Sequence, residues 1–95
     1  MPNPNPQTIL EWARWNLDKS HACLATYAES PDPRTKMAAL LDAYRYSYGA
    51  LINFKDVGDE YHARLARDMV EGLGERVLSL MVDGLVVQFP EYTFS

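Results

Sequence analysis

The stretch "DAYRYSYG", residues 42–49, sets Tyr44, Tyr46 and Tyr48 two positions apart. A spacing of two is the period of a strand, whose successive side chains leave on opposite faces. The flanking "KMAALL" (36–41) argues for helix, because it is rich in alanine and leucine and lacks β-branched partners. Projected at 100° per residue, Met37, Leu41, Tyr44, Tyr48 and Leu51 form one stripe with 4-3-4-3 spacing. Ala39, Ala43, Tyr46, Ala50 and Phe54 form a second stripe, roughly on the other side. The segment therefore reads as a helix that is apolar on two sides. Tyr44 and Tyr48 face one layer, Tyr46 faces away, and such a helix needs cover on both.

Outward from this helix, three breaks punctuate the chain: "NPNPQT" (3–8), "ESPDP" (29–33) and "KDVGD" (55–59). Each break also carries helix-start chemistry. Asn5-Pro6 offers an N-cap followed by proline at the first helical position, and Thr8 with Glu11 offers an alternative capping box. Asp32-Pro33 repeats the first device. Asp59 or Asp56 can cap the third segment, with Asp59 and Glu60 placed favourably against the helix dipole. The expectation is three helices over 6–29, 33–55 and 59–83, with "DG" (83–84) closing the last. Short turns make neighbouring helices antiparallel, so the expected fold is all-α, an up-down-up three-helix bundle forming one domain over 1–95.

The third helix has one apolar face: His62, Ala66, Met69, Val70, Leu73, Val77, Leu80 and Met81. Arg64, Asp68, Glu71, Glu75 and Ser79 take the other. Gly72 and Gly74 each weaken it by ~1 kcal/mol relative to alanine and mark either a kink or a close contact. On the first helix Leu10, Ala13, Leu17, Leu24 and Ala28 make the core stripe, with Ser20 and His21 between. Trp12 and Trp15 lie toward the opposite side with Lys19 and Thr26. Leu41, Leu73 and Val77 are expected to be fully buried. Beyond Gly84, "LVVQFPEYTFS" combines β-forming Leu85, Val86 and Val87 with Pro90 and the rings of Phe89, Tyr92 and Phe94. Residues 84–95 are expected to form a short extended tail, lying across the bundle or pairing with another chain, because a lone strand leaves its backbone groups unpartnered.

Composition narrows the function classes. The 95 residues are 47% hydrophobic and carry a net charge of −4, an ordinary globular balance. The nine Lys and Arg are scattered and never form a run, which argues against nucleic acid as a partner. The single cysteine, Cys23, excludes an internal disulfide and a cysteine-based zinc site. "MPNPNPQT" lacks the features of a signal peptide, and no apolar run approaches the ~20 residues that span a bilayer. A cytoplasmic protein that does not engage membranes is the expectation.

Catalytic groups are few. Cys23 with His21 or His62 as base would need hydrogen-bond reach, but on a helix His21 and Cys23 point about 200° apart. A small buried or half-buried cysteine is the better reading. Asp59 and His62 sketch half of a metal site, but the Glu-x-x-His repeats of a helical di-metal centre are absent. Asp68, Glu71 and Glu75 read as solvated surface rather than a magnesium row. No phosphate loop or nucleophile elbow is present in the sequence. Neither a cofactor nor a metal is expected, and enzymatic activity, resting on His62 and nearby acids, is the weakest reading.

The aromatic content of 12% is more informative, since Trp and Tyr dominate binding hot spots. The expected function is a small protein–protein interaction module that self-associates as a homodimer and adapts or inhibits another protein. Trp12, Trp15, Tyr46, Phe89, Tyr92 and Phe94 are its partner-binding candidates. The alternative is a sensor for a flat anionic ligand or nucleotide, gripped by the rings of Tyr44 and Tyr48 and the guanidinium of Arg45.

Overall fold

Capping chemistry divides the chain where its prolines and glycine suggest. The computed structural model describes residues 6–88, and the side chains of residues 6–81. It contains three helices: α1 (Pro6–Glu29), α2 (Pro33–Asp56) and α3 (Glu60–Gln88). Among the described residues there is no strand, so the fold is all-α.

Asp32 caps α2. Its carboxylate accepts the Thr35 backbone N–H at 3.2 Å and the Thr35 hydroxyl at 2.8 Å, with Pro33 at the first turn. The Thr35 hydroxyl, and then its backbone N–H, hold the Asp32 carboxyl below its ordinary pKa. Lys36 closes the preceding turn, donating from Nζ to the Tyr27 carbonyl at 2.6 Å and lying over the Tyr27 ring. That carbonyl belongs to the last turn of α1, where acceptors lack intrahelical partners.

The α2–α3 turn is a Schellman motif. The Gly58 N–H donates to Lys55 O at 3.1 Å, and the Asp59 N–H to Phe54 O at 3.0 Å. Gly58 has φ of 74°, the left-handed conformation that a glycine adopts without a Cβ penalty. Asp59 then caps α3, accepting the His62 N–H at 3.1 Å. Asp59, and not Asp56, is the capping residue.

α3 continues to Gln88, five residues beyond the expected end at 83, so residues 84–88 are helical rather than the start of an extended tail. Extending an existing helix adds a hydrogen bond for each residue fixed, whereas a lone strand satisfies nothing. That gain outweighs the β-preference of Val86 and Val87. The remaining tail residues, 89–95, lie outside the described residues.

α2 packs along both α1 and α3. Tyr27 meets Lys36, Ser20 meets Ala43 and Ser47, and Asn16 meets Asn53. On the other side Tyr44 lies against Gly74, and the Phe54 ring stacks on His62. α1 and α3 meet mainly through side chains, as where Arg76 lies over the Tyr27 ring at 5.7 Å. The molecule measures 52 × 28 × 27 Å, long in the direction that a 29-residue helix of about 43 Å imposes.

Small residues line the α1–α2 seam: Ala13, Ser20, Ala39, Ala43, Ser47 and Ala50 are all buried. Ser20 donates its hydroxyl to the Ala43 carbonyl at 3.1 Å, which leaves the Ser47 hydroxyl to donate to Ser20 Oγ across 2.6 Å. Leu40, Leu51 and Phe54 supply the larger core groups, closed from α3 by Ala63 and Ala66. Leu10, Leu17 and Val70 pack against this cluster.

Leu41, Leu73 and Val77 are half-buried, against the expectation of full burial, and Ala28 is exposed. Leu40, fully buried, takes the place assigned to Leu41. The reason is geometric. α1 and α3 contact α2 on adjacent flanks, so the deepest sector lies between its two apolar stripes, where Leu40 and Ser47 project.

Candidate functional site

Helical spacing on α2 places Leu41, Tyr44, Tyr48 and Ile52 on the edge that runs past α3. There Leu41 and Tyr44 meet Gly74, Val77, Leu78 and Met81 around an open apolar cavity of about 370 Å³. Leu78 and Met81 remain 63% and 53% exposed, and Tyr48 and Ile52 carry the exposed apolar surface further along α2. Gly74 lies under the Tyr44 ring, where a Cβ would stand 3.3 Å from Tyr44 Cε2 and the ring would have to give way slightly. Tyr44 and Tyr48, one turn apart, stack with centroids 6.4 Å apart and planes at 28°. The helical projection puts Met81 and Val77 on the α3 core face and leaves Leu78 and Ile52 off the apolar stripes. Their signal was present: both are large apolar residues lying off the assigned stripes.

A second apolar surface lies across α2. Trp15 meets Tyr46 edge-to-face at 5.6 Å, and Lys19 lies over the Trp15 ring at 5.4 Å. Trp12 sits three residues before Trp15 on the same helix, and the two indoles are 50% and 53% exposed. The structure thus brings Trp15 and Tyr46 together and keeps Trp12 on the surface. Phe89, Tyr92 and Phe94, the other partner-binding candidates, lie outside the described residues.

Of Tyr44, Arg45 and Tyr48, Tyr44 lines the cavity described above. The Arg45 guanidinium is turned toward Asp42, 3.9 Å away, in a solvent-exposed pair one helical turn long. The tyrosine rings instead stack on each other.

Cys23 is half-buried, and its thiol pKa is pushed up by burial and by the charge of Asp42, against a smaller opposing effect of Lys19. A raised pKa reduces the thiolate, the nucleophilic form. His21 and His62 are both exposed, contrary to their assignment to apolar faces. His62 is nevertheless fixed. Its Nδ1 lies 2.8 Å from Asp59 Oδ2, and its ring stacks on Phe54 at 5.1 Å and meets Tyr61 edge-on. The Asp59 carboxyl is held below its ordinary pKa by the His62 backbone N–H first, then by the His62 side chain and the charge of Arg14, with partial burial opposing them. Among the described residues no three of His, Cys, Asp and Glu gather as metal ligands would. No helix among them is long and apolar enough to cross a membrane.

Compared with family models, with curated proteins and with solved structures, the chain matches none.

Proposed function

We propose that this chain is a small cytoplasmic protein–protein interaction module that pairs with a second copy of itself and adapts or inhibits a partner protein. The observation that carries this reading is the apolar edge of α2 and α3. Leu41, Tyr44, Val77, Leu78 and Met81 surround one open cavity, and Tyr48 and Ile52 extend it. A monomer in water seldom keeps so many large apolar groups together on its surface, and contiguous patches mark interaction sites. Two-fold pairing is the commonest closed arrangement and places the same patch against itself. The Trp12–Trp15–Tyr46 surface, on the other flank of α2, is left for the partner protein, because Trp and Tyr are the preferred anchors of such contacts.

An up-down-up antiparallel arrangement of the bundle belongs to the same proposal. It is supported by the pairing of Tyr27 with Lys36 and of Asn16 with Asn53, in which numbers rise along α1 as they fall along α2. The contacts of Phe54 with His62 and of Tyr44 with Gly74 run the same way between α2 and α3.

Sedimentation velocity at micromolar concentration tests the pairing. The wild-type chain should sediment as a dimer, and Leu78→Glu with Met81→Glu should convert it to a monomer of unchanged helicity. A wild-type chain that sediments strictly as a monomer, or a double variant that stays dimeric, would sink the proposal.

A further inference from the structure

The basic residues, scattered in sequence, converge in space at the α2–α3 turn. Lys55 in the last turn of α2, and Arg64 and Arg67 on successive turns of α3, line one cavity of about 360 Å³ together with Gly58, Asp59, Glu60 and Ala63. Arg14 of α1 is close enough to act on the Asp59 carboxyl. Four of the nine Lys and Arg in a chain of net charge −4 thus collect at one end of the molecule.

We propose that this cavity binds a small phosphate-type dianion through Lys55, Arg64 and Arg67. Among the described residues, none of the three is engaged in an ion pair, whose members here are Arg45 with Asp42 and His62 with Asp59. Two carboxylates, Asp59 and Glu60, share the cavity lining and oppose an anion. Asp59 spends Oδ1 on the His62 N–H and Oδ2 on the His62 ring. Three cations therefore face two acids, and of the two only the Glu60 carboxylate has no hydrogen-bonding partner among the described residues to turn it from the ligand. Arginine's planar fork matches the oxygens of a phosphate two at a time, while the lysine ammonium supplies a movable point charge. The ligand class this arrangement of cations fits is a soluble phosphate or phosphomonoester. A lipid headgroup would offer the same chemistry but would require a membrane surface.

Inorganic phosphate is the first probe, titrated into the full chain at constant ionic strength against chloride, with backbone amide shifts and heat of binding recorded. Saturable binding is expected, with shifts confined to residues 55–67. Arg64→Gln and Lys55→Gln should each weaken it roughly tenfold or more, the scale of a lost hydrogen bond to a charged group. Glu60→Gln should tighten it, because a carboxylate facing the ligand is removed. Arg34→Gln, an exposed cation at the other end of α2, should leave it unchanged. All four side chains are exposed, and circular dichroism verifies that each variant keeps its helicity. Non-saturable shifts, equal loss in Arg34→Gln, or weakening in Glu60→Gln would each overturn the assignment. So would binding to phosphatidic acid vesicles with none to inorganic phosphate or phenyl phosphate.

Discussion

At the scale of single residues, two glycines on α3 that look alike in sequence have different jobs. Gly74 stands where a Cβ would come within 3.3 Å of the Tyr44 ring, so a side chain there must displace that ring. Gly72 meets nothing within 4 Å and has no positive φ, so nothing in its surroundings requires glycine. Alanine at position 72 should therefore stabilise the protein by about 0.5–1 kcal/mol, mainly by restricting the unfolded chain and improving helix propensity. Gly74→Ala gains the same propensity but must displace the Tyr44 ring, so its benefit should be smaller or reversed. Thermal unfolding followed by circular dichroism separates the two. Equal rises in Tm would mean that the Tyr44 contact does not constrain α3. The sequence located both glycines in the helix and allowed a kink or a close contact for each, but the choice depended on what lay opposite.

At the scale of elements, the double-striped α2 was legible and its depth was not. Capping residues marked its start at Pro33, and its end, Asp56, lies one residue past the expected 55. Both stripes were assigned correctly as apolar, and Tyr44 and Tyr46 do face different helices. A helical projection has no information on the angle at which two neighbours approach. Opposite neighbours would have buried each stripe at its centre, whereas adjacent ones bury the sector between. This is why Leu40 is fully buried while Leu41 is not. Leu40→Ala should cost ~2–5 kcal/mol, the range for emptying a tightly packed leucine site. Leu41→Ala should cost clearly less, since part of that side chain already meets water. Urea titrations of both variants give the comparison, and a larger loss for Leu41 would place the core on the wrong side of α2. The buried Ser20–Ser47 pair is not visible in the sequence for a related reason. A serine on an apolar face announces itself as an interruption, and its partner is visible only once the second helix is placed. The end of α3 is not legible in local β-propensity, because extending an existing helix gains a hydrogen bond for each residue added.

At the scale of the molecule, the layout of three helices leaves one flank of α2 for each apolar surface. The Leu78–Met81 edge and the Trp12–Trp15 face are therefore separate devices, and charge placed on one should not disturb the other. If pairing uses the α2–α3 edge, the folded state is coupled to chain concentration, because a second copy binds the native form and not the unfolded one. The melting temperature should then rise as the chain is concentrated past the dimer dissociation constant, such linkage amounting to about 2.7 kcal/mol once the free chain stands at a hundred times that constant. Leu78→Glu should abolish that dependence while leaving the dilute-limit Tm close to wild type, because position 78 is mostly exposed in the monomer. Trp15→Ala should do the reverse. It removes the edge-to-face contact with Tyr46, of about 0.5–1.5 kcal/mol, and lowers Tm at every concentration without altering its slope. A Tm independent of concentration in the wild-type chain would rule out stabilising pairing. A slope lost in Trp15→Ala but kept in Leu78→Glu would move the self-association surface to the tryptophan face and free the α2–α3 edge for the partner protein.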